Sequence, residues 1–269
     1  QIAKGTAGDM YAINYISTDI QYTGLLDNTP EDGVPIISAD DQNGLTDAVA
    51  AGLRGREFDA NPAHIIYECL TNTDWGMGSP EYRLNVESFK KAAATLYAEK
   101  LGLSFLWAQQ STVEDFVTTV INHIEATLYV DPRSGLFTLK LIRDDYDVDD
   151  LPEITPAIAT LENFQRKLWG ETINEISVAW RNPENEQNET VIAQDLANIA
   201  MQGGIVSDSR DFRGVRNADL ATRLAARDLR VASFPLLTCR AVVDRSAWDI
   251  VPGSTVKVTW PNHGMDGVI

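Results

Sequence analysis

Three aspartates at alternate positions, Asp145, Asp147 and Asp149, come nearest to metal chemistry in this sequence of 269 residues. Carboxylates so spaced are the first ligands of a calcium loop, in which hard oxygens surround a hard cation. That loop also needs glycine at its sixth place and glutamate at its twelfth, where Asp150 and Pro156 stand here. A solvated linker is the stronger reading, with a calcium ion near these aspartates kept as the alternative. Zinc chemistry fares worse. "HIIYE" at 64–68 separates His64 from Glu68 by a full helical turn and has no second histidine, so the two read as an ion pair on an exposed helix face. The other histidines, His123 and His263, lie in unrelated contexts. Cys69 and Cys239 are far apart among apolar neighbours, which suits two reduced core thiols rather than a disulfide framework or a zinc site.

Phosphate and acyl chemistry are equally poorly served. "AKGTAG" has the wrong order for a phosphate loop, and no Gly-x-Ser-x-Gly elbow occurs. No residue is therefore assigned to catalysis, to a cofactor or to a metal. Paired carboxylates for sugar hydrolysis carry no specificity in a chain with 39 acids. Against 22 lysines and arginines these give a formal charge of −17, which disfavours phosphate backbones and anionic lipid as partners. No apolar run approaches the roughly 20 residues that span a bilayer.

Arginines supply a subtler pattern. Arg223, Arg227 and Arg230 follow one another at helical spacing and share one flank of a helix expected over 218–232, whose other side carries Leu220, Ala221, Leu224, Ala225 and Leu229. Such a row is either a solvated face with snorkelling stems or a strip that meets carboxylates of a neighbouring subunit. Asp228 falls within the apolar arc and must be paired if it is buried.

The elements that position these residues are legible in places. Residues 1–57 read as a loop-rich β region, with a strand at "MYAINYIS" and a helical turn or two at "LTDAVAAGL". Asn61 and Pro62 open a helix whose core face is Ile65, Ile66, Cys69 and Leu70. A second helix, 86–100, is capped by Asn85 and ended by Gly102; it buries Phe89, Ala93, Leu96 and Tyr97 and pairs Glu87 with Lys91. A third begins with a capping box of Ser111 and Glu114 and carries Phe116, Val117, Val120 and Ile124 inward. The period then changes to two in "EATLYV" and "LFTLKLI", around the turn "DPRSG". Beyond the acidic run, "INEISVAW" and "ETVIAQD" form a longer hairpin, and strands resume after the 218–232 helix, with a turn on Pro252-Gly253. The class is α+β, divided at 1–57, 58–155 and 156–269.

Between the first two helices lies "DWGMG". Asp74, Trp75, Gly76, Met77 and Gly78 suit a rigid elbow, since an indole needs a pocket and the glycines permit backbone geometry barred to other residues. A ligand cage would need more polar groups than Asp74 provides.

In order, "NPAHIIYECLTNTDWGMG", "VESFKKAAATLYAEKLGLSF", the capped helix and "ATLYVDPRSGLFTLKL" resemble tail-tip (baseplate hub) proteins of long-tailed bacteriophages, as do "NEISVAW", "ATRLAARDL" and "WDIVPGSTVKVTWP" further on. The likeness covers about residues 58–269. It implies a structural virion protein, made in the host cytoplasm, whose second unit is β-barrel-like. It also implies a homotrimeric ring at the distal end of the tail tube. Tail-tube, distal-tail and fibre proteins are then its neighbours, and host receptors are met through parts outside this segment. The abrupt start and finish suit a piece of a longer polypeptide. Two other classes compete: a tail-borne cell-wall-degrading enzyme, and a carbohydrate-binding module using Trp107, Trp169 or Trp180.

Overall fold

The computed structural model describes residues 2–4, 11–13, 59–107 and 111–269. Most of the loop-rich region, including "LTDAVAAGL", lies outside the described residues. Strands β1 (Ile2–Lys4) and β2 (Tyr11–Ile13) pair antiparallel, and β2 pairs in turn with β3 (Phe105–Trp107).

Helix α1 (Pro62–Thr71) starts as its cap dictates: Asn61 Oδ1 accepts from the Ala63 amide at 3.1 Å, while Asn61 Nδ2 donates to the Ala93 carbonyl of the next helix at 2.9 Å. Ile65, Ile66, Cys69 and Leu70 are buried. His64 is buried too, so it is no surface partner for Glu68. The reason is crowding: α1 is covered on more than one side, and a residue one step off the apolar stripe is enclosed with it.

Helix α2 (Val86–Ala98) is capped by Asn85, whose Oδ1 accepts from the Ser88 amide. Phe89, Ala93 and Leu96 are buried, but Tyr97 lies at the rim and is exposed. Glu87 pairs with Lys90 rather than Lys91, because Lys91 reaches across to Asp145 at 3.0 Å. The chain leaves α2 through Lys100 at φ 51°, two residues before the glycine expected to end it. Helix α3 (Val113–Ile124) has its capping box one residue later than the sequence suggested: Thr112 Oγ1 accepts from the Asp115 amide, and Asp115 Oδ2 accepts from the Thr112 amide. Glu125, at φ 48°, turns the chain into the hairpin β4 (Ala126–Val130) and β5 (Phe137–Leu141).

The remaining strands are β6 (Glu153–Ile154), β7 (Ala159–Arg166), β8 (Glu175–Arg181), β9 (Asn188–Gln194), β10 (Ser207–Asp211), β11 (Leu237–Val243), β12 (Lys257–Trp260) and β13 (Met265–Val268). Strand β8 is central in a sheet ordered β10-β8-β9, and turns Ile176, Val178 and Trp180 inward. Helices α4 (Leu196–Gln202) and α5 (Ala218–Ala232) complete the fold. The five expected apolar residues of α5 are buried against β8 and β9. One continuous core therefore runs from Ala60 to Leu229, crossing residue 155.

The C-terminal strands are packed differently. Among the described strands, β7 pairs only with β11, and β12 only with β6 and β13. Ala159, Trp260 and Met265 form a small second cluster between them, joined by Leu161, Phe164, Leu237 and others. The class is α+β, but among the described strands no sheet closes into a barrel. The two ribbons meet through side chains and not through a shared ladder. This thin packing also corrects the reading of Cys239. It sits on β11 opposite Phe164, yet is exposed, because nothing among the described residues covers that end of the ribbon.

Candidate functional site

The most unusual surface lies where β7, α4 and α5 end. Thr172, Asn174, Asn198 and Ser233 are fully or nearly buried there. Asn198 Nδ2 donates to Thr172 Oγ1 and to the Ser233 carbonyl, both at 2.9 Å. Gln202 Nε2 donates to the Thr172 carbonyl at 3.2 Å and to Asn198 Oδ1. Asn174 Nδ2 donates to the Gly204 carbonyl at 2.9 Å, and its Oδ1 accepts from the Val206 amide at 2.7 Å. Buried polar groups satisfied this fully fix the geometry of the chains they join. Three segments, 168–174, 198–206 and 232–236, are thereby locked into one corner.

That corner displays apolar side chains. Leu168 is 70% exposed, Trp169 48%, Phe234 53% and Leu236 50%, and Met201 and Ile205 are exposed on the 198–206 segment that the same hydrogen bonds hold. The Trp169 and Phe234 rings lie 6.4 Å apart. Scattered exposed hydrophobics are ordinary, but a contiguous group rich in Trp, Phe and Leu marks an interaction surface. Sequence reasoning missed it. The available signal was "KLWGE" and "SFPLL", apolar pairs beside Gly or Pro that fit neither a strand's alternation nor a helix's stripe.

The expected site residues fall elsewhere. Gly76 lies against the C-terminus of α1, where an added Cβ would meet the Cys69 and Asn72 carbonyl oxygens at 2.6 and 2.7 Å. The Met77 and Ser79 amides donate to the Cys69 and Leu70 carbonyls at 2.8 Å, Trp75 packs on the core, Gly78 has φ 62°, and Met77 is exposed. Asp74 is exposed, its amide donating to Asn72 Oδ1. Of the arginine row, Arg223 donates to the Glu99 carbonyl at 2.9 Å. Arg227 pairs with Asp228 at 2.8 Å and Glu125 at 3.3 Å and donates to the His123 carbonyl. Arg230 stands on the exposed face one turn before Phe234. Asp228 is paired, as its place in the apolar arc required.

Two clefts remain. One, of about 440 Å³, lies between α2, the hairpin and residues 249–255; Lys91, Tyr129, Arg143 and Tyr146 line it. Asp145 also lines it, and the Lys91 hydrogen bond holds its carboxyl below the usual range. Asp147 Oδ1 accepts from the Asp149 amide at 3.0 Å, forming a tight turn. Among the described residues no three His, Cys, Asp or Glu side chains gather as a metal site requires. The other cleft, of about 570 Å³, is lined by Asn122, His123, Arg210, Asp211 and Asp228. Its acids already carry guanidinium partners, Arg213 for Asp211 and Arg227 for Asp228. Burial lowers the His123 pKa to about 4, and its Nδ1 donates to the Thr119 carbonyl at 2.7 Å. Neutral imidazole beside paired carboxylates is a poorly poised acid–base set. Trp180 is buried, whereas Trp169 is exposed at the corner. Among the described residues no helix is long and apolar enough to cross a membrane.

Residues 112–269 match the model of a family described as "Putative phage tail protein". No curated protein gives a significant match. Among solved structures, the chain is similar to one in the virion of a native gene transfer agent particle, at 14% identity and a TM-score of 0.56, covering 77% of this chain and 43% of that one. A tail protein from Neisseria meningitidis MC58 aligns at 13% identity and a TM-score of 0.44, over 61% of this chain and 50% of that one. The chain thus spans half or less of the length of the structures it resembles.

Proposed function

We propose, from the premise that this chain belongs to that phage tail protein family, that it is a non-catalytic component of the tail tip. In this reading it helps build a threefold baseplate-hub ring at the distal end of the tail tube. Neighbouring tail proteins dock on it, and host-recognition parts are carried by chain outside these residues. The observation that carries the reading is the apolar corner around Trp169 and Phe234, held rigid by buried amides. A protein acting alone gains nothing from fixing large apolar side chains in water, whereas a subunit covers them on assembly.

Images of intact virions and light scattering of the intact protein test this. Threefold density at the tail's distal end, labelled by an antibody to this chain, is the expected result. A protein that stays monomeric at all concentrations, with no such density, would overturn it. The wall-degrading alternative draws on the cleft holding Asp211 and Asp228; clearing of purified murein that is lost in Asp228→Asn would favour it instead.

A further inference from the structure

The corner's surroundings indicate what covers it. Arg166 and Lys167 end β7 beside Leu168, and Arg230 lies one helical turn before Phe234; all three are exposed and make no ion pair among the described residues. Arg133, Arg181, Arg213 and Arg240, exposed elsewhere, pair with Asp249, Glu186, Asp211 and Glu162 respectively. Exposed Arg83 and Arg245 make no ion pair among the described residues; the rim differs in setting three such cations beside an apolar group. The corner also holds Glu171, whose carboxylate accepts from the Leu168 amide at 2.9 Å. Three cations against that one engaged acid leave a net positive rim around an apolar centre, which calls for an acidic partner with apolar side chains of its own. The chain itself contains that chemistry. Between β5 and β6, Asp144, Asp147, Asp149 and Asp150 are exposed, with Ile142 and Val148 exposed among them. The turn is preformed, pinned by Lys91 on Asp145 at 3.0 Å and by the Asp149 amide on Asp147. Within one copy the two features do not meet: the aspartates and the rim cations are all exposed, and no ion pair joins them among the described residues.

We infer that the corner of one copy receives the Asp144–Asp150 turn of a second copy. Val148 then covers Trp169 and Phe234, while the aspartates face Arg166, Lys167 and Arg230. The contact joins two different patches, so it repeats head to tail and closes a ring when the rotation allows. It rests on the tail-tip reading only for where that ring sits; the pairing itself is a property of the chain.

Self-association of the intact protein tests it. Reversing the rim (Arg166→Glu, Lys167→Glu, Arg230→Glu) or the turn (Asp144→Lys, Asp149→Lys, Asp150→Lys, which leave the Asp147 pin in place) should each weaken assembly about 100-fold, and combining both sets in one chain should restore it to within about tenfold. Assembly unaffected by either set, or not restored by the combination, overturns the inference. So does loss of assembly in Trp169→Ser with both charge sets silent, since the corner then docks elsewhere; the tail-tip reading survives those results. A wild-type protein that never self-associates overturns both. Independently of the charge variants, Lys167→Cys and Asp149→Cys in a Cys239→Ser background should link copies through a short bismaleimide, and no link between copies counts against the pairing.

Discussion

The body built on α1, α2, α3, α5 and β8 and the ribbon built on β7 and β11 are made of similar residues and packed to different degrees. In the body, Phe89, Ile65, Leu96, Ile124 and Ile176 are fully enclosed, and α5 covers one face of its sheet. Along the ribbon Val242 and Cys239 face solvent, and among the described residues Ala159 closes a small core with Trp260 and Met265 of the adjoining β12 and β13. A two-stranded ribbon has two open edges and too little area to be stable by itself. On the proposed reading, the body carries the chain's stability, and the ribbon with its adjoining corner is completed by a neighbouring subunit.

The largest effects should fall on the body. Phe89→Ala removes a fully buried ring that meets Tyr67 edge to face at 5.8 Å, and should cost about 4 kcal/mol in denaturant unfolding; a cost below about 1 kcal/mol would show that the body is not the stable unit.

Acid should act on the body next. With His123 near 4 when folded against an ordinary 6.5, the unfolded chain binds a proton that the native chain refuses, so stability falls as pH drops from about 6.5 to 4. His64, also pushed down by burial, adds to this. Asp59 acts oppositely: burial, against a smaller pull from Arg216, lifts it to about 7, so the native chain keeps a proton the unfolded one has released, and its contribution weakens as pH rises from about 4 to 7. His123→Leu should flatten the acid limb by up to about 3 kcal/mol, and Asp59→Asn the limb toward neutrality. Urea midpoints at several pH values read both.

Smaller effects belong to the ribbon. Met265→Ala should cost about 1 kcal/mol, because its surroundings can collapse. It should speed amide exchange in β11, β12 and β13 while leaving β8 protected. If β8 exchanges equally fast, body and ribbon open as one unit and the contrast fails. Cys239→Ser, at an exposed position, should stay within about 0.5 kcal/mol.

How much of this could be read in advance follows the same division. Helix α5 lies where its apolar spacing placed it, Asn61 and Asn85 cap the helices they precede, and "DPRSG" turns the first hairpin, because each depends on residues within a few positions. His64, Tyr97 and Cys239 were misplaced because burial depends on what arrives from far along the chain. The corner was invisible for the same cause: Thr172, Asn198 and Ser233 are distant in sequence, and no local period marks a hydrogen bond among them.

The sequence by itself determined α1, α2, α3 and α5, the Asn61 and Asn85 caps, the hairpins, the α+β class and the acidic character, since propensity, capping and alternation act over one or two turns of chain. Only the tertiary structure decided which arginines are tied to their own backbone, which acids are already paired, and that Trp169 and Phe234 stand together in water. Those outcomes depend on which side chains fold closure leaves without a neighbour, and that is settled by the whole chain at once.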